Sequence, residues 1–191
     1  MDRAQTMCKR RRHNHSHSLP VTPFLAKRRR YVVDPSNLPA GTTDRRIFAY
    51  IIGINDYQAK KVPNLRACVE DGKKFEDFLR SRFRDQPLQI QSLYNKEATH
   101  DAMLSLFTEA SANPSIQKGD LVIFFYAGHG SRMPGPKGWE GRIESICPCD
   151  VDTIKDGKAI YGIPDFVIGT LMTDLANTRE ANVVSPCFCI D

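Results

Sequence analysis

Short apolar runs of strand length alternate with longer amphipathic segments from residue 47 onward. The runs at 47–54 (IFAYIIGI) and 121–126 (LVIFFY) are almost continuously apolar, which is typical of strands buried on both faces of a parallel sheet. The run at 88–94 (LQIQSLY) alternates apolar and polar residues and predicts a strand nearer the sheet edge. A further strand is expected to begin at 181–184 (ANVV).

Three segments carry apolar residues at helical spacing and predict helices between the strands. They are 65–83, a segment capped by Thr99, and 165–177. The first buried stripe comprises Leu65, Cys68, Val69, Phe75, Phe78 and Leu79, and the second Ala102, Met103, Leu106, Phe107 and Ala110. Strand and helix taking turns predicts right-handed crossovers and an α/β fold with a mainly parallel sheet flanked by helices.

The charge of the chain divides unevenly along its 191 residues, with a net of +5 overall. Residues 1–46 hold 11 Lys and Arg against 3 Asp and Glu, a net of +8, so the remainder carries −3. Two basic clusters at 9–12 and 27–30 lie in a leader with few apolar residues and several prolines. We predict that residues 1–44 are disordered, because such a segment buries too little surface to offset chain entropy. The clusters suit either a nuclear import receptor or a solvated leader.

The rest of the composition bears on the cellular location and the partners of the protein. No segment reaches the ~18 apolar residues of a membrane helix, so no membrane partner is expected. The six cysteines are ordinary for a reducing compartment. We therefore expect a cytoplasmic protein, with a nuclear location as the alternative. Because the folded part is net acidic, no nucleic-acid partner is expected there; the basic leader keeps nucleic-acid binding as an alternative.

His129 lies between two glycines directly after the most apolar run, in the sequence AGHG at 127–130. Sites in parallel sheets form beyond the carboxyl ends of strands. Gly128 and Gly130 predict a sharp turn there and close access of a substrate to the imidazole. The Gly130 N–H is then placed to stabilise an oxyanion. An imidazole also suits general acid–base catalysis near neutral pH.

Several segments resemble the metacaspase and caspase-like cysteine peptidases, particularly the fungal type. They are FAYIIGIN at 48–55, NLRACVED at 64–71, FYAGHG at 125–130, and a tract from GWE at 138–140 through Pro148, Asp150 and Asp152 to GIPD at 162–165. The resemblance implies a three-layer αβα fold truncated at its C-terminal side. It also predicts a caspase-like peptidase domain over 45–183, and a role in apoptosis.

The resemblance implies an endopeptidase with a Cys–His dyad, in which a thiolate attacks the scissile carbonyl and His129 protonates the leaving amine. Gly130 would supply one oxyanion donor. An aspartate of the first crossover helix lines a pocket for Arg or Lys in metacaspases, and Asp71 occupies that place. The alternative is that Asp71 faces solvent. The chain departs from the family pattern at Ala67, Glu70 and Ala127, which leaves the Arg or Lys preference open.

The larger departure from the family pattern concerns the nucleophile. Family members carry it in a motif of the form D-x-C-H-S-G, but here the sequence at 185–191 is SPCFCID. Cys187 and Cys189 follow His129 at 58 and 60 residues, against a spacing of ~50 in caspases, and remain weak candidates. We interpret 184–191 as a tail that is not native to the family, for example an intron read through. This interpretation predicts an open sheet edge beside the third strand.

No cofactor is required by this chemistry. Asp150, Asp152 and Asp156 could bind calcium, which activates many metacaspases, through their oxygens, or they could form a solvated acidic loop. The partners implied are protein or peptide substrates. The alternative to a peptidase is a catalytically inactive caspase-like protein that acts by binding, as a decoy or scaffold.

Overall fold

A computed structural model describes residues 45–135, 141–185 and 187–190. The predictions for residues 1–44, disorder and nuclear import, lie outside the described residues. The strands are β1 (Ile47–Gly53), β2 (Leu88–Tyr94), β3 (Leu121–Pro134), β4 (Arg142–Ile146), β5 (Ile154–Lys155), β6 (Lys158–Ala159), β7 (Ile163–Pro164), β8 (Asn182–Val184) and β9 (Cys187–Ile190). The α-helices are α1 (Cys68–Arg82), α2 (His100–Ala112) and α3 (Asp165–Arg179).

The main sheet is mostly parallel, as the alternation of strands and helices predicts. β1 lies between β2 and β3 and is parallel to both. β8 and β9 pair in parallel with the far side of β3. β4 pairs antiparallel with the second half of β3, and β7 pairs antiparallel with β4. The α/β fold class is therefore confirmed.

Helices cover both faces of this sheet. Alternate residues of β3 enter two cores, so that Phe124 packs on one face and Phe125 on the other. α2 and α3 contribute to the first core, with Met103 and Leu175 fully buried. α1 contributes Leu79 to the second. Burial on both faces explains why the two central strands are nearly continuous apolar runs.

The structure corrects the prediction for β3, which was expected to end at 126 in a sharp turn. The strand continues without a break through AGHG to Pro134. Its extension is held by β4, with Gly130 opposite Ile146 and Arg132 opposite Glu144. Gly128 and Gly130 therefore lie in extended strand. After the apolar run the chain does not turn, and β3 gains a further partner, the antiparallel strand β4.

Two smaller expectations are also wrong. Phe78, predicted on the buried stripe of α1, is 56% exposed, because the helix starts at Cys68 and turns its core face toward Phe75 and Leu79. The predicted open edge beside β3 is occupied by β8 and β9, which pair with it in parallel. The short strand predicted at 181–184 is confirmed as β8.

No helix among the described residues is both long and apolar enough to cross a membrane.

The N-terminus of α2 gives a prediction about stability. The Thr99 hydroxyl accepts a hydrogen bond from the Ala102 N–H at 3.3 Å, as expected of a helix cap. We expect Thr99→Ala to lower the free energy of unfolding by about 1 kcal/mol, measured by urea denaturation. Thr99→Ser keeps the acceptor and should retain most of the stability. Equal losses in the two variants would show that the hydroxyl does not act as the cap.

Candidate active site

The ring of His129 is anchored on the loop that joins β1 to α1. Its Nε2 lies 2.8 Å from the carbonyl oxygen of Pro63. Its centroid lies 4.9 Å from that of the Tyr57 ring, at a tilt of 49°. The His129 backbone N–H donates to the Tyr57 hydroxyl at 2.8 Å. One loop therefore fixes both the backbone and the side chain of this histidine.

The contact with Pro63 also selects the tautomer of the ring. A carbonyl oxygen only accepts hydrogen bonds, so the Nε2 of His129 must carry the proton in this arrangement. In the neutral imidazole Nδ1 is then the nitrogen that accepts a proton. A histidine held in this way is prepared to take a proton from a thiol and to return it to a leaving group.

Two tyrosine hydroxyls converge on the backbone around Gly128. The Tyr126 hydroxyl donates to the His129 carbonyl at 2.7 Å and accepts from the Cys147 N–H at 3.2 Å. Burial raises the pKa of Tyr57, so its phenol stays neutral at working pH. A Cβ at Gly128 would lie 2.5 Å from the Tyr126 oxygen and 3.0 Å from the Tyr57 oxygen. Glycine is required here for close approach, and not for a turn.

Asparagine side chains hold the loop that carries Tyr57. The Asn95 side-chain oxygen accepts from the N–H groups of Asn55 and Asp56 at 2.8 and 3.2 Å. Asn95 has a φ of 47°, a left-handed conformation that asparagine adopts more readily than most residues. Asn64 accepts from the Tyr57 N–H at 2.9 Å. Sequence reasoning missed Asn64 and Asn95 as positioning residues, although asparagines in the loops after β1 and β2 were the available signal.

A cleft opens beside His129, with a volume of about 750 Å³ that includes the solvent at its open mouth. Residues 61–63 of the β1–α1 loop line it, together with 151–152 and 161–162. β3 contributes His129, Gly130 and Ser131. Gly130, the predicted oxyanion donor, therefore lines the same cleft as the histidine. The cleft has the room for a peptide side chain next to the imidazole.

The other predicted site residues lie in separate places. Asp71 is exposed on the first turn of α1 and is not among the residues that line this cleft. Asp150 is buried, and its carboxylate accepts from the His100 N–H at 2.8 Å at the start of α2. Asp152 pairs with Lys61 across 3.1 Å. No group of three His, Cys, Asp or Glu that could hold a metal ion occurs in the described part of the chain, and calcium binding stays a prediction.

The nucleophile candidates are in β9, which runs parallel to β3 and ends beside it. Cys187 pairs in register with Tyr126, Cys189 with Gly128, and Ile190 with His129. The cysteine positions thus lie on the strand next to the histidine, at the sheet edge where parallel α/β sheets form their sites.

Another thiol gives a prediction about pH. Burial raises the pKa of Cys149 to about 11, and the neighbouring Asp150 carboxylate adds to the shift. The Cys149 side chain is buried, so its own ionisation is followed without a reagent: we expect its ¹³Cβ chemical shift in the folded protein to keep the thiol value up to about pH 10. NMR titration of a cysteine-labelled chain measures it. A change from thiol to thiolate centred near pH 9, as in the guanidinium-unfolded chain, would contradict the shift.

Comparisons with known proteins show which family the chain resembles. A family model described as a caspase domain matches residues 46–178. Metacaspase-4 of Arabidopsis thaliana is 31% identical over 114 residues, which cover 56% of this chain and 27% of that protein. Metacaspase-8 is 32% identical over 118 residues, covering 56% and 30%, and Metacaspase-9 is 26% identical over 123, covering 61% and 37%. The chain thus spans about a third of the length of these plant relatives.

A solved structure matches the fold. The crystal structure of protein GSU0716 from Geobacter sulfurreducens superposes with a TM-score of 0.56 at 20% identity, over 75% of this chain and 49% of that one. This likeness supports the arrangement of sheet and helices and carries no information about activity.

Proposed function

The chain belongs to the caspase-domain peptidase family, and on that premise we propose that the protein is a cysteine endopeptidase in which His129 is the general acid–base. The observation that supports this proposal most strongly is the anchored ring of His129, whose Nε2 is directed to the Pro63 carbonyl. This contact fixes the ring at the lining of an open cleft, where a peptide ligand can reach it.

The proposed reaction is acyl transfer through a thioester. The Nδ1 of His129 takes the proton of the thiol, and the thiolate attacks the scissile carbonyl carbon. The Gly130 N–H is proposed as one donor to the resulting oxyanion. His129 then protonates the leaving amine as the C–N bond breaks. Water hydrolyses the thioester with the same histidine as base, which restores the thiol.

A cysteine of β9 is proposed as the nucleophile, which takes this strand as part of the domain and competes with the interpretation of 184–191 as a tail foreign to the family. The support is topological, since β9 lies parallel to β3 with Cys189 opposite Gly128 and Cys187 opposite Tyr126. Cleavage after Arg or Lys, with Asp71 as a contributor to the pocket, is proposed on the family resemblance alone. Activation by calcium is proposed on the same basis.

The experiment that tests this function uses fluorogenic peptides ending in Arg, Lys or Asp, with and without calcium. We expect the purified chain to cleave the Arg or Lys peptides and a Cys→Ser change at 187 or 189 to remove the activity. Loss in both variants with an intact melting temperature would implicate the strand without choosing between the two thiols. A wild-type chain that folds and cleaves none of the peptides would contradict the proposal.

One observation favours a second function. The segment 185–191 lacks the family motif D-x-C-H-S-G, so a catalytically inactive caspase-like protein that binds peptides in the same cleft is the alternative. A folded chain that binds peptides without cleaving them would support it.

A further inference from the structure

The cleft beside His129 already holds a cation on a carboxylate. The Nζ of Lys61 lies 3.1 Å from an Asp152 oxygen, and both residues line the cleft. Asp152 is the only carboxylate among the described lining residues. Lys61 therefore shows which kind of group the Asp152 carboxylate can bind: a primary ammonium at the end of an aliphatic stem.

The Asp152 carboxylate is positioned independently of Lys61. The Asp152 N–H donates to the Ile160 carbonyl at 2.8 Å, which holds its backbone in a left-handed conformation with a φ of 62°. The Lys61 loop is attached to the segment before Asp152 by a separate bond, from the Gln58 N–H to the Cys149 carbonyl at 2.8 Å. Removing the lysine side chain therefore leaves the carboxylate in place.

The ion pair between Lys61 and Asp152 is exposed enough for another cation to replace the lysine. The side chains of Lys61 and Asp152 are 68% and 40% exposed, and exposed ion pairs contribute little stability. Val151 is buried beside Asp152, and Tyr161 is exposed and lines the same cleft. A cleft lined by an apolar side chain, an aromatic ring and a carboxylate suits the aliphatic stem and charged end of a lysine or arginine side chain.

We propose that Asp152 forms a subsite for a basic side chain of the peptide ligand, and that Lys61 is an internal occupant which the ligand displaces. For its biological meaning the proposal rests on the proposed peptidase function. It assigns the recognition of a cation to the wall of the His129 cleft, a place separate from Asp71 on α1. Ligand binding would also act on the loop that anchors the histidine, since Lys61 lies two residues before Pro63.

The test measures binding of Nα-acetyl-arginine methylamide by NMR titration, which needs no catalysis. We expect Lys61→Met to tighten binding between about twofold and fivefold by removing the competitor. We expect Asp152→Asn to weaken it at least about fivefold, because a charge-assisted hydrogen bond is lost. Asparagine tolerates the left-handed backbone, so this variant should fold, and a melting curve checks it.

Matched controls are present in the chain. Lys60→Met removes the neighbouring lysine, and Glu180→Gln removes the charge of another lysine-paired carboxylate with positive φ, 50°; neither residue lines the cleft. Both should bind like the wild type, and the norleucine analogue of the probe should not bind. Equal affinity of the Asp152→Asn and Glu180→Gln variants would overturn the proposal, as would loss of binding only in Asp71→Asn. Failure of peptide cleavage with this binding pattern intact would count against the peptidase and not against the subsite.

Discussion

Replacing His129 with alanine is expected to lower kcat/KM for peptide cleavage by about 10² to 10⁴-fold, the usual contribution of a positioned acid–base group. The physical reason is the loss of both proton transfers, from the thiol and to the leaving amine. The fold should survive, since the ring is half-buried at the wall of the cleft and not in either core. The rate of cleavage of an Arg peptide measures the effect, with circular dichroism as the check on folding.

His100→Ala is the matched control for this change. His100 lies at the start of α2, beside Asp101 and outside the cleft. Its replacement should leave the rate within about twofold of the wild type, in line with surface substitutions away from special features. The assignment of His129 would be wrong if its alanine variant kept more than a tenth of the activity, or if both variants lost activity equally.

Gly128→Ala is expected to have the second large effect. The added Cβ would meet the Tyr126 oxygen at 2.5 Å and the Tyr57 oxygen at 3.0 Å. These hydroxyls bind the carbonyl and the N–H of His129 at 2.7 and 2.8 Å. Displacing them should cost about 1–3 kcal/mol of stability as overpacking. It should also reduce the cleavage rate by up to about 100-fold, as expected of a catalytic group misplaced by ~1 Å.

Gly169→Ala in α3 provides the comparison, because a Cβ there meets nothing within 4 Å. In a helix this change is expected to stabilise the protein by about 0.5–1 kcal/mol. Urea denaturation and the cleavage assay are run on both variants. If Gly128→Ala matched Gly169→Ala in stability and rate, the tyrosine hydroxyls would not be the groups that position the histidine.

Much of the fold follows from local pattern. The apolar runs at β1 and β3 are buried on both faces, and their strand assignment needs no tertiary information. The edge strand β2 alternates as expected, and Thr99 caps α2 through a contact only three residues away. These features depend on periodicity and short-range chemistry, which the sequence contains directly.

Features that depend on distant partners could not be predicted. β3 continues past Gly130 because β4 pairs with it. The paired residues include charged ones, such as Arg132 and Glu144. Nothing near Pro63 in the sequence indicates that its carbonyl meets His129, 66 residues later. The ion pair of Lys61 and Asp152 likewise joins residues that are far apart in the sequence. The site is assembled from long-range contacts, so the sequence indicated its histidine but not the groups that hold it.

The measurement that tests the central claim most directly is covalent labelling with an acyloxymethyl ketone that carries arginine. A thiolate displaces the acyloxy group of this reagent and forms a stable thioether, so the nucleophile is marked without turnover. We expect one adduct per chain, on Cys187 or Cys189, and its loss in the His129→Ala variant, as read by peptide mapping with mass spectrometry. A folded chain that forms no adduct, or forms it on Cys68 or Cys149 instead, would contradict the proposed dyad.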